Sequence, residues 1–275
     1  MFALRPLVLA LLLAPASGSA PGPTLAVEDT LHTEVPEVLV SAPRVTLDEI
    51  LGRVARGEAR RESLLTDQSF TGTVRLVRDV IGNRPPRPVM EGVWRVFRKR
   101  PDRVRSVLLR RWEAKTGKGR GGPPIQMDFS PGMGEDVVNF AFQPSARREY
   151  RYRIAARDLV GGHVVYRLAF EPRSPLATDA PRGLVWVDTN DFVIVREEVE
   201  FARSPVPLLL ESIPRMVVER TRVGPHWVLS RVLMRVVLTV PMPSVGRFLD
   251  VSIHYDDYHL NQGIPDSVFV GDGRR

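Results

Sequence analysis

Leu184-Val185-Trp186-Val187 runs directly into Asp188-Thr189-Asn190-Asp191, and beyond that polar stretch Val193, Val195, Val199 and Phe201 alternate with Arg196, Glu198 and Glu200. Two apolar runs around a short polar turn, the second with a period of two, read as an antiparallel hairpin. The same pattern continues downstream. Met216 to Val223 and Trp227 to Val240 form a second hairpin around Gly224-Pro225. In its return strand Val232, Met234, Val236, Leu238 and Val240 share one face with Ser230, while Arg231 and Arg235 take the other. Leu249, Val251, Ile253 and Tyr255 line the last long strand. Upstream, Val164, Tyr166, Leu168 and Phe170 alternate with polar neighbours, as do Phe70, Gly72, Val74 and Leu76. Strand-like runs at 89–99 and 103–113 flank Pro101-Asp102. One apolar and one polar face per strand is the mark of an antiparallel sheet wet on one side. About nine to eleven such strands, with few helices between them, predict a sheet that curls on itself.

A period of 3.6 is clear only over residues 46–65. Thr46 and Glu49 stand three apart, as in a capping box, and Leu47, Ile50, Leu51, Val54 and Ala55 form a stripe. Arg53, Arg56, Glu58, Arg60, Arg61 and Glu62 are expected on the remaining, solvated surface. Residues 115–135 break the strand pattern with glycine-rich turns, and 136–142 read as a short helix or strand.

Arg5, the apolar run Leu7–Ala14 and the small residues after it read as a secretory signal peptide over 1–20, cleaved near Ala16 or Ala20. Residues 21–45 read as a Pro-rich linker, with Pro21, Pro23, Pro36 and Pro43, and residues 46–275 as a single β domain. The expected location is therefore the periplasm. The chain has no cysteine, so neither disulfides nor a lipidated cysteine enter its stability or anchoring. No later stretch is apolar enough for a membrane-spanning helix, so an integral membrane protein is not expected. The net charge of +7 favours anionic partners. Nucleic acid is not expected among them in an exported protein.

Catalytic signatures fail on inspection. Gly117-Lys118-Gly119-Arg120-Gly121-Gly122 leads into Pro123-Pro124, so no helix opens to complete a phosphate loop. No Gly-x-Ser-x-Gly elbow and no His-Glu-x-x-His occur. In His254-Tyr255-Asp256-Asp257-Tyr258-His259 the two histidines fall on opposite strand faces, which does not gather a metal site. Glu197-Glu198 and Asp256-Asp257 likewise point apart, and Glu198 and Glu200 with Arg196 read as a solvated charge ladder. No catalytic residue, metal or cofactor is expected.

Helix followed by a long antiparallel meander resembles the bacterial outer-membrane lipoprotein carrier and sorting superfamily, the LolA/LolB-like fold. Three stretches carry the likeness: Asp67–Val74 at the helix-to-strand entry, Gly183–Asp188 with Phe192–Arg196 as a hairpin, and Tyr258–Asn261 with Gly263–Phe269 as the C-terminal ending. The resemblance implies a mainly β fold: a half-open antiparallel β-barrel, or curved sheet, with an N-terminal amphipathic helix, few short helices and a cavity for acyl chains. Candidates for its lining are Tyr166, Phe170, Phe201, Met234, Val236, Leu238, Val251 and Ile253, which would equally suit a filled core. The implied partners are lipid acyl chains or a lipoprotein, with Arg110, Arg111 and Lys115 to Arg120 meeting anionic head groups. The alternative is an envelope protein–protein interaction module with a filled core.

Overall fold

The computed structural model describes residues 45–78, 87–114, 141–160, 163–204, 210–242 and 246–270. The segment 1–20 read as a signal peptide, residues 21–44, the glycine-rich loop and residues 136–140 lie outside them. The described residues belong to the unit Arg44–Arg275. One α-helix, α1 (Leu47–Ser63), opens it. Thr46 caps the helix by accepting from the Glu49 amide at 3.2 Å. The Glu49 carboxylate turns along the helix to Arg53. Ile50, Leu51 and Val54 are buried, as their spacing predicts. Glu58 and Arg61, expected on the solvated surface, are buried as well. Both continue the apolar stripe at intervals of three and four, so the helix face that carries them is the one pressed onto the sheet.

Ten strands make one antiparallel sheet: β1 (Asp67–Arg78), β2 (Arg87–Lys99), β3 (Arg103–Glu113), β4 (Tyr150–Val160), β5 (His163–Pro172), β6 (Arg182–Asp188), β7 (Ile194–Phe201), β8 (Leu210–Val223), β9 (His226–Met242) and β10 (Gly246–Leu260). Their spatial order is β3-β2-β1-β10-β9-β8-β7-β6-β5-β4. Two meanders therefore meet where the first strand pairs with the last, and the chain ends of the domain lie mid-sheet. Asn261 fastens that seam, its side-chain oxygen accepting from the Thr66 amide at 2.8 Å and its side-chain nitrogen donating to the Leu64 carbonyl at 2.8 Å. The sheet is curved and not closed, which makes it a half-open barrel.

Residues directly opposite in an antiparallel ladder share a face. Val74 opposite Ile253, Leu76 opposite Val251, and Met234 opposite both Val251 and Met216 place the predicted apolar rows on the inner face, where α1 packs. Bulges shift three details of that pattern. Between Trp186 and Val187 the register to β7 slips, so Ile194 rather than Val195 joins the inner cluster. A slip at Glu219/Arg220 brings Leu229 inward in place of Ser230, whose hydroxyl instead donates to the Glu219 carbonyl at 3.1 Å. Val240 is exposed, since the β9 register to β10 slips beyond Val237.

The β6–β7 turn is the platform for α1. Asp188 accepts from the Asn190 and Asp191 amides at 2.9 and 2.8 Å, an Asx-type turn. Gly57 lies against it: a Cβ there would collide with the backbone carbonyls of Asp191 and Phe192. Gly57→Ala is expected to push the helix off this platform. The expected loss is about 1–3 kcal/mol of unfolding free energy, read from urea denaturation.

Candidate functional site

All eight predicted lining residues are buried and belong to one apolar cluster with Ile50, Leu51 and Val54 of α1. Sheet and helix share this cluster unequally. Ten strands at their usual spacing span about 45 Å, whereas a 17-residue helix is about 25 Å long and 10 Å wide. The segment ahead of β4 also covers part of this face: Ala141, Phe142 and Ala146 join the cluster, with the Phe142 ring against Tyr152 and Phe170.

At the β3 edge this enclosure thins. Tyr255, Gly72, Trp94 and Leu108 lie opposite one another across β10, β1, β2 and β3, in a single inner row. Tyr255 is buried, Trp94 half-buried, and Leu108 is 48% exposed. Val104, two pairs along on the same face of β3, is exposed as well. The Trp94 ring lies over Gly92, and no described atom stands within 4 Å of where a Cβ on Gly72 would sit. The apolar inner row thus runs from buried Tyr255 and Gly72 to exposed Leu108.

Toward the other half of the sheet, the inner face holds charge. The Glu58 carboxylate accepts from the Ile194 amide at 2.8 Å, from Arg220 at 2.8 Å and from Arg61 at 3.0 Å. Arg220 also donates to the Ile194 carbonyl at 2.8 Å. Glu197, on the same face of β7 as Val199 and Phe201, is 0% exposed. Neither of its carboxylate oxygens meets a donor among the described residues. Burial therefore holds its pKa well above the ordinary value; Arg220 pulls it down in part, and Glu58 pushes it up further. Burial also raises the neighbouring Tyr150 hydroxyl, with Tyr152, Glu149 and Glu197 adding to it, and raises Tyr152 to about 12. This cluster is enclosed, and its hydrogen bonds fasten α1 to β7 and β8.

The outer face is a charge ladder, as read for Arg196, Glu198 and Glu200. Arg196 pairs with Glu198 and Glu219, and Arg231 reaches Glu219 at 2.7 Å. A shallow groove of about 560 Å³ on this face is lined by Arg151, Glu171, Arg182, Glu200 and Arg215, alternating in sign from β4 to β8. Arg110 and Arg111, expected to meet head groups, pair with Glu91 and Glu113. Asp257 meets Arg95 at 2.6 Å and His259 at 3.2 Å. No group of three His, Asp or Glu suited to a metal converges among the described residues. No described helix is long and apolar enough to cross a membrane.

No family model matches the chain, and no curated protein matches it. Solved structures similar to it include a DUF1329 family protein from Desulfovibrio piger, at 14% identity over 80% of this chain and 96% of that one, with a TM-score of 0.42. A LolA superfamily protein from Nitrosomonas europaea is 15% identical over 83% and 99%, with a TM-score of 0.36. A putative outer membrane lipoprotein-sorting protein domain from Vibrio parahaemolyticus is 13% identical over 80% and 97%, with a TM-score of 0.36.

Two outcomes test the buried cluster. Arg220→Leu leaves Glu58 with a lost partner in the core and is expected to cost about 3–5 kcal/mol of stability. Glu197 acts in the opposite sense. Its folded form keeps a proton that the unfolded chain releases above about pH 4.5. The stability this contributes is fully present below that pH and is lost as pH rises toward the raised value. Glu197→Gln removes the titration, so its melting temperature should exceed the wild type's at pH 8 and converge with it at pH 4.

Proposed function

We propose that this chain is a non-catalytic binder of apolar ligands, holding an acyl chain of a lipid or lipidated protein against the inner face of the sheet. In this reading it acts in the periplasm as a carrier or sensor, exported by the segment 1–20. The observation that supports it is the inner row that passes from buried Tyr255 and Gly72, past half-buried Trp94, to exposed Leu108. Apolar surface left exposed at the end of a buried row is where a chain of methylenes gains from burial, at about 0.8 kcal/mol each. The eight buried residues named above would line the path inward as the ligand displaces them.

Native mass spectrometry of the mature protein purified from its own cell envelope, followed by organic extraction, is expected to show co-purified lipid. Gly72→Leu adds bulk to this row at a position where an added Cβ meets no described atom within 4 Å. It should weaken binding of a fluorescent fatty acid by roughly tenfold, or about 1.4 kcal/mol. A bare protein that ignores the fatty-acid probe at all concentrations would remove this reading.

A further inference from the structure

The strand β3 closes one end of the sheet and, among the described residues, pairs only with β2. Ten of its eleven residues are exposed. An edge of this kind presents a row of backbone donors and acceptors that another strand can satisfy. Its apolar side chains are exposed too, and on both faces. Val104 and Leu108 lie on the inner side, while Val107 and Trp112 lie on the outer side, opposite Arg95 and Glu91. A bilayer surface engages one face of a ribbon. A strand added to the edge meets side chains on both.

Charge narrows the partner. The hairpin Arg87–Glu113 holds nine basic residues and three acidic ones; Asp257, Asp266 and Glu62 outside it pair with Arg95, Lys99, Arg103 and Arg100, which leaves a basic surplus of three. Arg105 spends its hydrogen bonds on the carbonyls of Val268 and Val270, which leaves its charge uncompensated by those contacts. A second copy of β3 would bring the same basic excess to the new ladder, which disfavours self-pairing.

We propose that the β3 edge docks an extended acidic polypeptide segment in which carboxylates alternate with aliphatic side chains, adding an eleventh strand to the sheet. This site is separate from acyl-chain binding and needs no lipid on the partner.

The test uses the full mature chain and an eight-residue peptide alternating valine and glutamate, with a valine–lysine peptide as control. Hydrogen exchange at the amides of residues 106–112 is expected to slow at least tenfold with the glutamate peptide and to stay unchanged with the lysine one. Arg110→Glu combined with Trp112→Ala, both at exposed positions, should weaken peptide binding at least tenfold. Gly72→Leu should leave it intact, which separates this site from the acyl site. Equal protection by both peptides, or protection by phosphatidylglycerol vesicles but not by the glutamate peptide, would overturn the proposal.

Discussion

The bonds that Glu58 accepts, from the Ile194 amide, from Arg220 and from Arg61, fix where the only described α-helix can sit. A helix held by apolar contact alone can slide along a sheet, since dispersion is not directional. A carboxylate reaching a backbone amide and two guanidinium groups cannot. That tie sets α1 over β7 and β8 and against the β6–β7 turn, where Gly57 permits contact with the backbone. It also decides what α1 does not cover. Placed over one half of the inner face, it leaves the β2–β3 side with Trp94 and Leu108 partly in solvent.

Buried ionic groups are costly, and this cluster illustrates how the cost is distributed. Glu58 has donors for both oxygens. Glu197, on the inner face of β7, has none among the described residues, and burial raises its pKa well above the ordinary value. One arginine, Arg220, acts on both carboxylates, and it donates to Glu58 and to the Ile194 carbonyl but not to Glu197. Keeping Glu197 neutral avoids a second buried negative charge for which only part of one cation remains.

Much of this was legible in the sequence. Alternation around Asp188–Asp191 and Gly224-Pro225 places the hairpins, and the eight inner residues fall together because a period of two leaves them no other face. The sequence also carried the anomaly at Glu197, a carboxylate in line with Val195, Val199 and Phe201, where an apolar residue belongs. What could not be read were the bulges. Each inserts one residue and exchanges the faces beyond it, so Ile194 replaces Val195 and Leu229 replaces Ser230, without any change of composition to announce it. The inward turn of Glu58 and Arg61 was hidden for another reason. The helical stripe runs on in position after Val54, but its chemistry changes from apolar to charged, and hydrophobic periodicity sees only the first kind.

The distribution of charge sets the two edges of the sheet apart from its outer face. Across the outer face, opposite charges alternate from strand to strand and largely neutralise one another, as in the row from Arg151 through Glu171, Arg182 and Glu200 to Arg215. The two edge strands are different. Between them β3 and β4 hold seven arginines against Glu113 and Asp158. Closing the barrel would bring those two arginine-rich strands side by side, where like charges disfavour pairing. It would also bury Leu108 and Val104 in a closed wall. In the proposed reading, this basic excess disfavours pairing of the two edges with each other and favours a strand of opposite charge at β3.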